Sequence, residues 1–357
     1  MRWIKGVVGL IMIVIITFFI LEKNQIESRE AIDSLNHTLI VKKENVKEKS
    51  VPNNIIAKGK YEGELFHWIG RSTDELIQAL GEPKRKDLSS YGYTWWVYTN
   101  NETQYIQFGV IGEEIHTIYA TGGDISISPL AIGDSYESVH QELEFKNEVT
   151  YKKGITSYTF LLDDEDVQMR PLVKLSDDLF LQVYFDTFSD QLSSVRIMTG
   201  DVLLIQRPYG LRYRGKIPNL PNLTDAKWEE VERGMEQQIF DITNVIRHNF
   251  KKNALEWEDR VSEVAFLHSK DMAENNYFSH YSQNGNGLKE RLEGRDVYYT
   301  AAGENIAAQY VDAPAAVEGW LNSEGHRDAL LNDEYTHLGV GVYRLYYTQN
   351  YLTKPFN

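Results

Sequence analysis

The sequence contains no cysteine. This absence excludes disulfide bonds, thiolate nucleophiles, cysteine-ligated zinc, iron–sulfur clusters and a lipidated N-terminal cysteine. Any catalytic chemistry in the chain must therefore use histidine, carboxylate, hydroxyl or lysine side chains.

Positive charge is also in short supply. Lysine and arginine total 37 against 52 aspartate and glutamate residues, which gives a formal net charge of −15. A general nucleic-acid binder needs a basic surface that displaces counterions, so no nucleic-acid partner is expected. The hydrophobic fraction of 42% is ordinary for a globular protein, and 357 residues suffice for two or three folded domains.

The N-terminus carries an uncharged apolar run from Gly6 to Leu21, which follows Arg2 and Lys5. As a helix this run rises about 24 Å, somewhat less than the roughly 30 Å hydrocarbon core of a bilayer. Large residues at its end argue against cleavage, so we predict a transmembrane signal anchor over 1–21, with a cleaved signal and a secreted protein as the alternative. Because the positive charge precedes the run, the bulk of a single-pass chain is expected outside the cell membrane. Export without cysteine suits a Gram-positive bacterium.

The rest of the N-terminal half divides into three predicted segments. Residues 22–60 are polar and net basic, and we predict a polar stalk there. Residues 61–200 contain an internal repeat, because the pattern Ile-Gly-x-Ser begins at Ile69 and again at Ile132. In each copy the serine is placed as a helix N-cap and three strand-like segments follow, which predicts a duplicated helix-plus-three-strand α+β domain. Residues 201–226 hold three prolines and two glycines and are predicted to be a linker without regular structure.

The C-terminal segment, residues 227–357, contains five short motifs. They are Asn-Tyr-Phe-Ser-His at 276–280, Gly-Glu-Asn-Ile-Ala at 303–307, Trp-Leu-Asn-Ser-Glu-Gly-His-Arg at 320–327, Leu-Gly-Val-Gly at 338–341 and Thr-Gln-Asn-Tyr at 348–351. In this order they resemble the CAP superfamily of cysteine-rich secretory, antigen 5 and pathogenesis-related proteins, also called the SCP domain. The resemblance is to members of the Bacillus type and implies an α-β-α sandwich. The repeat resembles the CAP-associated N-terminal domain of such proteins, through its Ile-Gly-x-Ser starts and the strand from Trp95 to Tyr98.

The resemblance also implies a site. Two histidines and two glutamates line a central cleft in this family, and carried over by motif they give His280, Glu304 and His326. The family's second glutamate falls on Ser323 here, and its neighbour Glu324 reaches the cleft only if the helix turns it inward. We therefore expect His280, His326, Glu304 and Glu324 as the metal-ligand set for a divalent cation such as Zn²⁺, and the first three as candidate catalytic residues.

Two functions remain open at this point. The first is a membrane-anchored extracellular binding module whose His/Glu cleft holds a metal or a small lipid, peptide or cell-wall ligand. The second is a metal-assisted hydrolase that acts on a cell-wall polymer or peptide. The sequence does not decide whether the chain is an enzyme, because a shared fold does not transfer function.

Overall fold

The structure is a computed structural model that describes residues 41–43, 64–100 and 102–354. The predicted signal anchor at 1–21 and all but three residues of the predicted stalk lie outside this part of the chain. Within the described residues, no helix combines the length and the apolar character needed to cross a membrane.

The elements of the N-terminal half are mostly short strands. A 3-10 helix covers Phe66–Trp68, and the remaining elements are β1 Val41–Lys43, α1 Thr73–Leu80, β2 Arg85–Leu88, β3 Thr94–Thr99, β4 Tyr105–Ile111, β5 Glu114–Thr121, α2 Tyr136–Leu143, β6 Glu148–Lys153, β7 Thr156–Leu161, α3 Asp164–Met169, β8 Leu172–Lys174, β9 Leu179–Asp186, β10 Gln191–Thr199, α4 Gly200–Gln206 and β11 Gly210–Arg214.

Longer helices dominate the C-terminal half. Its elements are α5 Asp225–Asn249, β12 Glu256–Trp257, α6 Asp259–Asn275, α7 Leu288–Glu293, β13 Ala301–Ala308, α8 Ala313–Leu321, α9 Glu324–Leu330, β14 His337–Tyr343 and β15 Tyr346–Thr353. The chain is thus mixed α+β throughout its described length.

The internal repeat is built around one seven-stranded sheet with the order β2-β3-β4-β5-β10-β9-β8. The two copies meet at its centre, where β5 pairs antiparallel with β10. Each copy begins with a capped helix, because Ser72 and Ser135 accept hydrogen bonds from the backbone N–H three residues on. Each copy also holds strands beyond the three predicted, which are β2 in the first copy and β6 and β8 in the second.

The predicted linker at 201–226 is wrong over its first half. Residues 200–206 form α4, whose Val202, Leu203 and Leu204 are buried, and residues 210–214 form β11. This strand pairs with β7 on one side and with β1, from the predicted stalk, on the other. Of the residues that suggested a linker, Pro208 lies between these elements, Gly210 begins β11, and Gly215, Pro218 and Pro221 follow it.

The C-terminal half is a four-stranded sheet, ordered β12-β14-β15-β13, between helices. On one face α6 lies so close to β14 that a side chain at Gly339 or Gly341 would overlap the helix backbone. On the other face the alternate residues Leu338, Val340 and Val342 pack with the apolar sides of α5 and α8. The arrangement is a three-layer α-β-α sandwich.

The two halves share a polar, buried contact centred on α8. The Arg196 guanidinium of β10 forms two hydrogen bonds, of 2.7 and 2.8 Å, with the carboxylate of Asp312, the N-cap of α8. On the next helix, α9, Arg327 donates hydrogen bonds to both carboxylate oxygens of Asp186 at 2.7 and 2.9 Å. Both arginine side chains are at least 86% buried, since 0% and 14% of their surfaces are exposed. The first domain therefore fixes the position of α8 and α9.

Candidate functional site

The candidate site is assembled from four elements of the sandwich. His280 lies in the segment after α6, Arg291 on α7, Glu304 on β13 and His326 on α9. The motif residue Asn305 ties two of these elements together, because its side-chain amide donates to the backbone carbonyl of His326 at 3.0 Å.

Glu304 is the buried centre of the site. Its side chain is only 4% exposed, and the Nη2 group of Arg291 donates to its two carboxylate oxygens at 2.9 and 2.8 Å. The Nδ1 atom of His280 lies 2.9 Å from Oε1 of the same carboxylate. Burial alone raises the pKa of Glu304, but the hydrogen bond from His280 and the charge of Arg291 more than offset it, so the pKa lies below its ordinary value.

His280 is the exposed member of the site. Because a carboxylate only accepts hydrogen bonds, the Nδ1 of His280 carries a proton that it donates to Glu304. In the neutral imidazole the other nitrogen, Nε2, is then a hydrogen-bond acceptor. The side chain is 38% exposed. His280 thus offers an oriented acceptor to solvent.

His326 completes the pair of imidazoles. Its ring centroid lies 6.5 Å from that of His280, and its Nδ1 atom lies 2.8 Å from the hydroxyl oxygen of Ser323. Burial, with a smaller contribution from His280, lowers the pKa of His326 to about 4. The His326 ring is therefore neutral at physiological pH.

An open pocket of about 470 Å³ lies beside His280 and Glu304. Its lining residues are His280, Tyr281, Gly287, Leu288, Lys289, Glu290 and Glu304. The volume is within the ~300–1,000 Å³ range of small-molecule sites.

The structure brings three of the predicted metal ligands, His280, Glu304 and His326, near one another but does not arrange them as a ligand set. In the part of the chain that the structure describes, no group of three or more histidine, aspartate or glutamate side chains is placed to hold a metal ion. Glu324 is exposed in the first turn of α9, and it is Ser323 that contacts His326. The oxygens of Glu304 are taken by Arg291 and His280, and the arginine supplies the positive charge that a cation would bring. The residues present do not fit a resident divalent cation.

Sequence reasoning missed Arg291, the residue that decides the charge state of Glu304. Its partner lies 13 residues away on another element, and no local pattern marks such a pair. The one available signal was its position on the short amphipathic stretch between the two motifs that supply His280 and Glu304.

Comparison with known proteins gives the family. Residues 240–354 match the cysteine-rich secretory protein (CAP) family, and residues 69–209 match the CAP-associated N-terminal family. The chain is 45% identical over 317 residues to the membrane protein YlbC of Bacillus subtilis. The match covers 88% of this chain and 91% of that protein. The chain belongs to the CAP family. A second B. subtilis relative, YkwD, is 35% identical over 106 residues, or 30% of this chain and 41% of that protein.

Solved structures of CAP proteins agree with this assignment. An extracellular protein with an SCP domain from Bacillus anthracis superposes with a TM-score of 0.78 at 43% identity, over 87% of this chain and 100% of that one. A cysteine-rich secretory protein from Staphylococcus aureus gives a TM-score of 0.73 at 26% identity, over 83% of this chain and 94% of that one. Both matches span more than one domain, so the pairing of the CAP domain with its associated domain recurs in these relatives.

Proposed function

We propose that this CAP protein is a membrane-anchored extracellular binding module whose cleft holds a short peptide through His280. The observation that carries the proposal is the hydrogen-bonded array of Arg291, Glu304 and His280, which orients an exposed imidazole acceptor beside a pocket of about 470 Å³. A peptide N–H is the matching donor for the free Nε2 atom.

The lining of the pocket favours a peptide over a lipid. Leu288 is its only aliphatic side chain. Its charged residues are Lys289, which lies 3.8 Å from Glu293, and Glu290, whose carboxylate accepts from the backbone N–H of Gly287 at 2.9 Å, and both signs of charge suit the termini of a peptide. A lipid chain needs a mostly apolar lining to replace the favourable burial that it finds in a membrane. Peptide-like wall fragments share the chemistry of the peptide.

The contacts of Glu304 weaken the hydrolase alternative. A general base works best with a pKa near the operating pH and a free oxygen within reach of the substrate. The pKa of Glu304 is lowered instead, and both of its oxygens already accept hydrogen bonds from the Arg291 guanidinium. Glu304 is therefore assigned the role of orienting His280.

Calorimetric titration of the detergent-solubilised full chain with the dipeptide alanyl-alanine tests the cleft. We expect binding that weakens about tenfold in His280→Asn, which removes the hydrogen bond between the peptide N–H and Nε2. The matched control is His248→Asn, because His248 is exposed on α5 of the same domain and lies outside the lining of the pocket. Absence of binding, or equal binding by both variants, contradicts the proposal.

The anchor is tested by labelling of single cysteines, since the chain has none of its own. Ile155→Cys places a thiol at a residue that is 89% exposed in the first domain, and Lys5→Cys places one before the apolar run. We expect an impermeant maleimide to label Ile155→Cys in intact cells and Lys5→Cys only after lysis. Recovery of the chain in the medium would instead indicate a cleaved signal.

A further inference from the structure

A second pocket adjoins the His280 cleft, and Glu290 lines both. It has a volume of about 450 Å³ and is formed by α6, the segment 282–286 and α7. Its polar lining includes His268 and Asp271 on α6, Gln283 and Asn286 on the connecting segment, and Arg291 and Arg295 in and just after α7.

Two residues that line this pocket each carry a buried side-chain atom without a hydrogen-bond partner within the described residues. The atoms are Nδ1 of His268 and Nη1 of Arg291. His268 is 1% exposed and the Arg291 side chain 10% exposed, so bulk water does not satisfy either group. A buried polar group left unpaired costs about 1–3 kcal/mol of folding stability. Two such groups at one pocket therefore indicate that a polar partner is missing there.

The two atoms have opposite hydrogen-bonding characters. The Nε2 atom of His268 lies 2.9 Å from the carbonyl oxygen of Ser279, which only accepts, so Nε2 carries the proton and Nδ1 is an acceptor. Burial lowers the pKa of His268 to about 4, which keeps the ring in this neutral form. The Nη1 atom of Arg291 is a donor. A hydroxyl group is the simplest partner for both, because it accepts from one atom and donates to the other.

The charges around the pocket argue against an anion. Arg291 is neutralised by Glu304, and Arg295 pairs with Glu263 at 2.9 Å. Asp271 remains as a negative lining group whose oxygens accept from Asn275 and Tyr277. Gln283 and Asn286 add amide groups, which both donate and accept. The half-exposed Leu267 offers an apolar edge at the same pocket.

We propose that this pocket binds a sugar, with one ring hydroxyl between His268 and Arg291 and the others on the Asp271, Gln283 and Asn286 side chains. Amide, carboxylate and guanidinium groups around a small apolar patch match the hydroxyls and C–H face of a neutral saccharide. Arg291 connects the two sites, because it lines the sugar pocket while its Nη2 atom holds Glu304 of the cleft, and Glu290 lines both pockets. The proposal does not depend on which ligand the cleft takes.

Saturation-transfer NMR on the full chain in detergent micelles tests this site, with N-acetylglucosamine as the probe. Gln283→Trp fills the pocket with a side chain that is exposed and makes no hydrogen bond inside the described chain. Tyr298→Trp is the matched control, since Tyr298 is 79% exposed and lines neither pocket. We expect sugar signals from the unaltered protein and the control, and their loss in Gln283→Trp.

Further variants and a second probe distinguish sugar binding in this pocket from binding in the cleft and from anion binding. Asn286→Ala is expected to weaken sugar binding about tenfold, and His280→Asn to leave it unchanged. Absence of sugar signals in the unaltered protein, or their persistence in Gln283→Trp, overturns the sugar pocket. Loss of the signals in His280→Asn alone places the sugar in the cleft and also overturns it. Binding of acetate without binding of the sugar would identify an anion site at the two arginines instead.

Discussion

Two buried glutamates in the CAP domain have opposite surroundings. Glu318 on α8 is 2% exposed and accepts hydrogen bonds from the hydroxyls of Tyr119, Ser193 and Ser194, all of which belong to the first domain. Glu304 on β13 is equally buried but is held by the charged Arg291 and by His280.

The difference in partners sets the difference in charge. Burial raises the pKa of Glu318, and its hydroxyl partners only partly offset this effect. The pKa of Glu304 is lowered, because its histidine and arginine partners outweigh an equal burial. Hydroxyl groups accommodate either protonation state, whereas a guanidinium requires the carboxylate. Glu318 in the domain contact can therefore hold a proton, whereas Glu304 in the site stays ionised. An ionised Glu304 keeps accepting the hydrogen bond that orients His280.

Removal of the Glu304 charge is expected to have the largest effect. Glu304→Gln leaves the Arg291 guanidinium buried without its counter-charge, which should lower the free energy of unfolding by about 3 kcal/mol at pH 7. Denaturant unfolding of the full chain measures this, with Glu324→Gln on the exposed first turn of α9 as the control. A loss no greater than that of the control would mean that the pair with Arg291 does not hold Glu304 ionised.

Glu318→Gln should have a smaller effect, with the opposite dependence on pH. Because the folded pKa of Glu318 is raised, its contribution to stability is complete below its unfolded value near 4.5 and is lost as the pH rises through the folded value. The amide cannot ionise, so Glu318→Gln should match the unaltered protein at pH 4 and exceed it in melting temperature at pH 8. Glu318→Ala, which removes all three hydrogen bonds, should be less stable at both values. A variant that gains nothing at pH 8 contradicts the raised pKa.

Glu304 is expected to show the reverse trend. Its folded pKa is lowered, so its contribution is present above about pH 4.5 and fades as the pH falls through the folded value. The destabilisation by Glu304→Gln should therefore shrink between pH 6 and pH 3, which the same unfolding series measures. A constant difference across this range would indicate that the loss is due to packing and not to charge.

The smallest effect on stability is expected for a substitution of Ser323, which should mainly change the pKa of His326. Ser323→Glu places a carboxylate beside His326, as Glu304 lies beside His280, and should raise the pKa of His326 from about 4 toward its ordinary value. NMR titration of the histidine ring protons follows this shift, with the unaltered protein titrated in parallel as the reference. A midpoint that stays near 4 would show that burial alone controls His326.

The parts of the fold that follow from local rules were predictable from the sequence. The N-caps at Ser72 and Ser135 mark both repeat helices, and the motif order indicates the sandwich and the residues His280, Glu304 and His326. The missed elements depend on distant partners. β11 forms because β7 and β1 pair with it, and the two-residue β12 exists only beside β14.

The candidate site follows the same division between local and distant information. The motifs identify which residues carry the chemistry but not which ones neutralise them. Arg291 belongs to no motif, and Glu318 looks like an ordinary helix residue until the first domain supplies its three hydroxyl donors. The metal prediction rested on residues placed by sequence position, and sequence position did not reveal the arginine that lies beside Glu304.

The contact on α8 has a consequence for making chimaeras from related proteins. Asp312 and Arg327 belong to the CAP domain, yet among the described residues their salt-bridge partners are Arg196 and Asp186 of the first domain. A CAP domain transplanted alone would carry two unmatched charges on the helices next to His326. A chimaera should therefore exchange the CAP domain together with the face of the first domain that carries Arg196 and Asp186.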